Sequence, residues 1–366
     1  MTKNVPAPRP EVLRASPVHH GAPDYAELER LGMAPEDVLD FSVSSNPYGP
    51  SPRLWEALRR VPLDRYPDRD ALALRRRLAV RLDVAPDRIV AGNGAAELIW
   101  LIALAFLRPG DRVLVLGPTF GEYARAAVLM GARVESWTAR PERDFVVEPD
   151  RVAQILRRVQ PRLVFLCSPN NPTGVIISPD VVAAWARAYP RTLFIVDEAY
   201  LAFATGLQST LTIGAGNVLA LRSMTKEYAL AGLRLGYAVS HEEVIAALAR
   251  VRPPWNVNSL AQAAGVAALA DEEHVHRSLA LLAAAREELV AGLQNLGLEL
   301  VPSAVHFFLV RVGDGAAFRR KLLRRKVQVR DCASFGLPAY VRIAARRPEE
   351  NARLLEEVER TFQSAV

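Results

Sequence analysis

Between residue 52 and about residue 250, short apolar runs alternate with stretches in which apolar residues recur at helical spacing. The runs cover 88–91, 112–116, 163–167, 193–196 and 218–221. This alternation predicts an α/β fold, a mostly parallel sheet with helices on both faces. Pro253-Pro254 interrupts the pattern. Beyond it, the alanine- and leucine-rich stretch 259–296 predicts one long helix. Two strand-like runs follow, 307–310 and 340–344, and then a last helix from Pro348. That order predicts a smaller α+β C-terminal domain joined to the first by the long helix. Residues 1–51 are rich in proline and glycine, with one short helical stretch near 24–31, and predict an arm that packs on something else. A chain of 366 residues exceeds what one core usually supports. The expected division is an arm (1–51), a large domain (52–250) and a small domain (251–366).

Composition narrows the class. Half of the residues are apolar and 23% are charged, which fits a globular chain. The N-terminal MTKNVPAPRP lacks the basic-then-apolar layout of a signal peptide, and the longest apolar run, 98–107, is too short to span a membrane. Only two cysteines occur, Cys167 and Cys332, too few for a disulfide framework or a cysteine-rich zinc site. A metal-free protein of the reducing cytoplasm is expected. The net charge of +6 invites a nucleic-acid reading. However, lysine occurs only at positions 3, 226, 321 and 326, and the 42 arginines are spread among 40 carboxylates. That distribution predicts an ion-paired, solvated surface, and no RNP motif or zinc-finger spacing is present.

In an open parallel sheet, ligands bind beyond the carboxyl ends of the strands, so the residues after each apolar run matter most. Those residues are Gly92-Asn93-Gly94-Ala95-Ala96-Glu97, Gly117-Pro118-Thr119-Phe120, Ser168-Pro169-Asn170-Asn171-Pro172-Thr173-Gly174, Asp197-Glu198-Ala199-Tyr200 and Arg222-Ser223-Met224-Thr225-Lys226. All five are polar or glycine-rich.

Each segment has a plain reading beside a chemical one. Gly92-Asn93-Gly94 opens an apolar helix whose free N–H groups suit a phosphate, or it is a simple strand-to-helix turn. Asp197 ends an apolar run, where a carboxylate is costly unless paired; it caps a following helix or faces a protonated ring nitrogen. Lys226 follows an apolar strand between small polar residues. Desolvation there would give the free amine that imine chemistry needs, whereas a surface ion pair with Glu227 is the plain alternative. Arg234, eight residues on, has the donor fork that suits a phosphate dianion.

Together the strings SPNNPTG (168–174), DEAY (197–200) and SMTKEYALAGLRLGY (223–237) resemble the aspartate aminotransferase superfamily of pyridoxal-5′-phosphate enzymes, over nearly the whole chain. The resemblance implies a covalent link between the cofactor and Lys226, and Asp197 opposite the ring nitrogen. Asn171 and Tyr200 would meet the ring's phenolic oxygen, and Phe120 would stack on the ring. Gly94, Ala95, Ala96, Ser223 and Arg234 would surround the phosphate. Tyr66 resembles the tyrosine that reaches the neighbouring subunit's cofactor phosphate, which implies a homodimer with shared sites, the arm packing on the small domain and on the partner. Arg342 matches the arginine that clamps the substrate carboxylate. Arg330, His20 and Asn46 are further substrate candidates.

Within the superfamily the chain is similar to the branch of histidinol-phosphate aminotransferase and threonine-phosphate decarboxylase. His20-Gly21, Leu39-Asp40-Phe41-Ser42, Pro254-Trp255-Asn256-Val257-Asn258 and Arg330-Asp331-Cys332 lean toward the decarboxylase. Three departures stand out: His20-Gly21-Ala22-Pro23 where the decarboxylase pattern has His-Gly-Gly-Asn, Gly94-Ala95-Ala96-Glu97 where it has Gly-Glu-Thr-Glu, and His306 where the branch usually has asparagine. The expected reaction is transamination between a phosphorylated or otherwise anionic small-molecule amino donor and a 2-oxo acid. Threonine-phosphate decarboxylation is the alternative, and a silent or regulatory protein of the same fold the remote one.

Overall fold

The computed structural model describes residues 6–18 and 21–363. The arm carries one short strand, β1 (Leu39–Asp40). The five apolar runs become strands of one seven-stranded sheet: β2 (Ile89–Gly92), β3 (Arg112–Gly117), β4 (Arg133–Thr138), β5 (Leu163–Cys167), β6 (Leu193–Asp197), β7 (Val218–Ser223) and β8 (Gly236–Val239). Their spatial order is β2-β8-β7-β6-β5-β3-β4, with all neighbours parallel except at β8, which runs antiparallel to both β2 and β7.

Every residue of β5 and β6 is buried, as expected of strands covered on both faces. Alternate residues feed two cores. Phe165, Ile195 and Leu219 point to one side with Leu98 and Ile102, whereas Val164, Phe194 and Val196 point to the other with Val152, Leu156 and Trp185. Two strands escaped the sequence pattern. β4 is an edge strand with no fully buried residue, so it shows no apolar run, and β8 is only four residues long.

The small domain adds β9 (Glu299–Leu300), β10 (Phe307–Arg311), β11 (Val327–Gln328), β12 (Arg330–Asp331) and β13 (Tyr340–Ala344). Four of these form an antiparallel sheet in the order β12-β13-β10-β9, packed with the helices Glu272–Asn295 and Pro348–Gln363 around Phe308, Val341 and Leu354. The expected single helix over 259–296 is two: Ser259–Ala268 and Glu272–Asn295. Asp271 makes the break, its carboxylate capping the second helix at His274 N and accepting a bond from Ser51 Oγ of the arm.

The arm divides its contacts. β1 pairs in parallel with β11, and Leu28 and Val38 pack on Leu323, all in the small domain. Its first helix, Pro10–Arg14, instead lies on the large domain: Arg9 donates to Leu129 O at 3.3 Å, and Val18 packs on Gly121. The arm thus touches both domains: residues 9–18 lie on the large domain near Gly121 and Leu129, Ala22 and β1 reach the small domain, and Asn46 returns to the large domain at Lys226 and Glu227.

Candidate active site

The strand ends β2, β3, β5, β6 and β7 open toward one cleft. After β2, Gly94 begins the helix Gly94–Phe106 at φ +79°, a conformation that favours glycine. A side chain on Gly94 would come within 2.9 Å of Arg234 Nη2, and one on Gly236 within 2.6 Å of Ala95 N. The two glycines thus let the helix start, with Ala95 and Ala96, sit against the turn before β8. Arg234 itself holds a left-handed φ of +56° and donates to Ala231 O at 3.1 Å, with its exposed side chain beside the helix start. Ser223 Oγ lies 2.7 Å from Thr225 Oγ1, both buried, at the end of β7. Helix N–H groups, two hydroxyls and a guanidinium on one spot form an anion cradle.

Asp197 closes β6 and is fully shielded. Both of its carboxylate oxygens find a partner. Its Oδ1 accepts from Ala199 N at 3.0 Å, as a cap does, and its Oδ2 accepts from Tyr123 Oη at 2.6 Å. Burial pushes its pKa up, while these two donors and the charge of Lys226 pull the other way. Tyr123 is buried, stacks on Phe165 with ring centroids 5.2 Å apart, and meets Phe120 edge-on at 5.6 Å.

Lys226 makes no ion pair with Glu227 or with any other described carboxylate. Glu227 is buried with Oε2 unpartnered and is pushed up to about 7 by that burial. Burial, then Arg342 and Arg234, bring the Lys226 amine down to about 8. Its Nζ sits 5.8 Å from the ring centre of Tyr200, itself buried against Phe307 at 4.8 Å. A half-buried amine free of ion pairs, a buried carboxylate and an anion cradle fit an aldehyde, a protonated ring nitrogen and a phosphate. The residues present therefore suit pyridoxal phosphate.

On the other side of the cleft stand Arg342 (β13) and Arg330 (β12), directly opposed in the antiparallel pairing and both nearly buried. Arg342 donates to Asn171 Oδ1 and, at 2.5 Å, to Ser42 O; its Nε is buried without a partner, and it lies 5.2 Å from the Phe307 ring centre. Arg330 donates to Ser334 Oγ at 2.7 Å and stacks over Phe335 at 5.3 Å. Burial, then Arg342, pull the pKa of Arg330 below its ordinary value. The arm closes this side, for a side chain on Gly21 would meet Ser42 O at 2.5 Å and Arg342 Nη2 at 3.6 Å.

Three sequence candidates fall elsewhere. His20 lies outside the described residues. Asn46 is not turned to a ligand: its amide donates to Glu227 O at 3.0 Å and Ser278 Oγ at 2.8 Å, and its Oδ1 accepts from Tyr48 N at 3.0 Å. It is a buried tie between arm, lysine segment and long helix. Tyr66 is 79% exposed and stacks on Trp255 at 4.6 Å, with no hydrogen bond or ring contact to Lys226, Asp197 or Arg234 among the described residues. Sequence reasoning missed Tyr123, although its spacing of three from Phe120 was the available signal.

Comparisons with known proteins bear on the family of the chain. Residues 36–358 match the family model of aminotransferase class I and II. The chain is 42% identical to a histidinol-phosphate aminotransferase of Symbiobacterium thermophilum over 95% of this chain and 96% of that one. It is 37% identical to histidinol-phosphate aminotransferase 1 of Thiobacillus denitrificans over 95% of this chain and 91% of that one. In fold it is similar to the crystal structure of histidinol-phosphate aminotransferase from Sinorhizobium meliloti in complex with pyridoxal-5′-phosphate, with a TM-score of 0.88, 23% identity and full coverage of both chains. The chain belongs to the class I and II aminotransferases.

Proposed function

We propose that the protein is a pyridoxal-phosphate-dependent aminotransferase that exchanges the amino group of histidinol phosphate with a 2-oxo acid. The observation that carries it is the half-buried, ion-pair-free amine of Lys226, brought down to about 8 beside Asp197 and two arginines. The relatives at 42% and 37% identity, both bearing the histidinol-phosphate aminotransferase name, support this substrate over threonine phosphate and this reaction over decarboxylation.

When bound, pyridoxal phosphate supplies an electron sink conjugated to the substrate's α-carbon. Lys226 Nζ would take the α-proton as base and, as acid, would deliver it to the cofactor's aldehyde carbon, which a pKa near neutrality favours. Asp197 would hold a proton on the ring nitrogen, and the bonds from Tyr123 and Ala199 N favour its charged form against the upward push of burial. Asn171 and Tyr200 orient the ring at its phenolic oxygen, Phe120 supports one ring face, and Gly94, Ala95, Ala96, Ser223 and Arg234 hold the phosphate. Arg342 binds the carboxylate of the 2-oxo acid. The paired guanidinia of Arg342 and Arg330 suit the phosphate of the amino donor.

We further propose a homodimer in which Tyr66 reaches the partner's phosphate cradle. The exposure of Tyr66, Trp255, Leu63 and Trp55 on one stretch of chain surface supports it. Mixing inactive Tyr66→Phe and Lys226→Ala chains is expected to restore part of the activity. A cytoplasmic site of action goes with this reading; among the described residues no helix is long and apolar enough to cross a membrane.

The test is an assay of purified protein with histidinol phosphate and 2-oxoglutarate. Glutamate formation dependent on both supports the proposal. Carbon dioxide release from threonine phosphate without glutamate formation overturns it in favour of the decarboxylase.

A further inference from the structure

The segment Pro254-Trp255-Asn256-Val257-Asn258 is tied to the start of the helix Gly94–Phe106 by one side chain. Asn258 caps the helix Ser259–Ala268, its Oδ1 accepting from Ala261 N at 2.8 Å, and Val257 is buried with Leu74, Ala91 and Tyr237. Trp255 stacks on Tyr66 and holds a φ of +56°, a left-handed conformation that a bulky residue rarely adopts. Between these anchors the half-buried Asn256 amide faces the end of β2. Its Nδ2 donates to Glu97 Oε2 at 2.6 Å and to Ala91 O at 3.3 Å.

Glu97 Oε2 also accepts from Asn93 N, at 2.6 Å. One carboxylate oxygen therefore joins the residue before the helix, the first turn of the helix and the segment after Pro253-Pro254. Asn93 stands at the N-cap, yet its own side chain makes no cap bond. The first N–H groups of the helix are thus left to a ligand, and Ala95 and Ala96 add no side-chain donor. Binding of a phosphate there depends on where the backbone points. A free carboxylate in the first turn would compete for those N–H groups and repel a dianion, but this oxygen is spent on Asn93 and Asn256.

We infer, on the pyridoxal-phosphate reading proposed above, that Asn256 and Glu97 are positioning residues whose bridge fixes the main chain of 93–96 for the cofactor's phosphate. On the other side of that main chain, Ala95 N lies against Gly236, so the segment is held between the bridge and β8. Both side chains act through the backbone. Loss of the bridge therefore weakens the hold on a phosphate group and leaves the reach of Lys226 to an aldehyde unchanged.

The test titrates the cofactor-stripped full chain with pyridoxal phosphate and, separately, with pyridoxal, which has the ring and aldehyde but no phosphate. Glu97→Ala and Asn256→Ala are each expected to weaken pyridoxal phosphate by about tenfold, with pyridoxal unchanged. The exchanged pair Glu97→Gln with Asn256→Asp keeps an oxygen for Asn93 N and an amide facing a carboxylate, and should stay within about threefold of the unaltered chain. Equal weakening of both ligands in the alanine variants overturns the inference, because it makes the bridge a packing element only. Tighter binding of pyridoxal phosphate in Glu97→Ala also overturns it, because Glu97 would then act by repulsion alone. An unaltered chain that binds neither ligand sinks the cofactor reading and the bridge with it. Normal binding by the unaltered chain and by both alanine variants sinks the bridge alone. Should Glu97→Ala fail to fold, Asn256→Ala and the exchanged pair decide the question.

Discussion

The two sides of the cleft are built on different principles. On the cofactor side, each group stands at or near the end of a strand of one sheet: the cradle after β2, Phe120 after β3, Asn171 after β5, Asp197 on β6, and Ser223 and Lys226 at the end of β7. Sheet pairing sets their spacing. On the substrate side one strand pair supplies Arg330 and Arg342, but Gly21 and Ser42 of the arm and Asn171 from across the cleft meet Arg342 through individual contacts. Ala22 shows how loosely sequence is constrained there. Its N–H donates to Ser42 Oγ at 3.0 Å, its carbonyl accepts from Gln328 Nε2 at 3.1 Å, and its φ of +92° is one that glycine would adopt freely. A frame of paired strands tolerates little change in its motifs; a set of side-chain ties can absorb an alanine for a glycine.

The sharpest way to break this contrast is Lys226→Ala, expected to lower kcat by about 10³-fold or more while leaving the melting transition cooperative, because it removes the acid–base group and the covalent anchor. A variant with measurable turnover would show that the amine is not the working group.

On the substrate side, Arg342→Ala should raise KM for the 2-oxo acid far more than it lowers kcat. Loss of hydrogen bonds to a charged group, about 1.5–3 kcal/mol, corresponds to roughly 10- to 150-fold. An unchanged KM would remove Arg342 from the clamp.

Tyr123→Phe tests whether the frame also tunes charge. Without the 2.6 Å donor, the pKa of Asp197 rises further, so activity should fall by about tenfold at low pH and recover as pH increases. A uniform loss at all pH values would make Tyr123 a packing residue only.

The cofactor-free protein carries a linked signature. The Lys226 amine has a lower pKa folded, about 8, than unfolded, near 10.5, so the unfolded chain binds more protons between these values. Stability is therefore expected to rise from pH 8 to 10.5, and Lys226→Met should flatten that rise in thermal melts.

The smallest effect belongs to Ala22→Gly. Relief of a strained backbone, partly offset by the entropy of glycine, is expected to raise stability by about 1 kcal/mol or less, seen as a small rise in Tm. A lower Tm would mean that the alanine methyl packs usefully.

How much was readable in advance follows the same division. Apolar runs of four or five residues marked β2, β3, β5, β6 and β7, and the polar segments after them gave the frame side of the site. β4 was illegible because an edge strand alternates weakly, and the break at Asp271 because alanine- and leucine-rich sequence on either side hides a cap. Tyr123 belongs to a helix whose register relative to β6 is a tertiary fact. Asn46 misled for the opposite reason. An asparagine beside a predicted site is ambiguous until its donors are traced, and here they are spent on Glu227 O and Ser278 Oγ.

The opposed arginines of β12 and β13 have a practical consequence. Two guanidinia fixed on neighbouring strands and largely shut off from water give an anion in that corner two charged partners at once. Sulfate or phosphate in a storage buffer should then act as a stabilising ligand, raising the melting temperature in proportion to the logarithm of its concentration while competing with the donor substrate. Buffer salt becomes part of the enzymology.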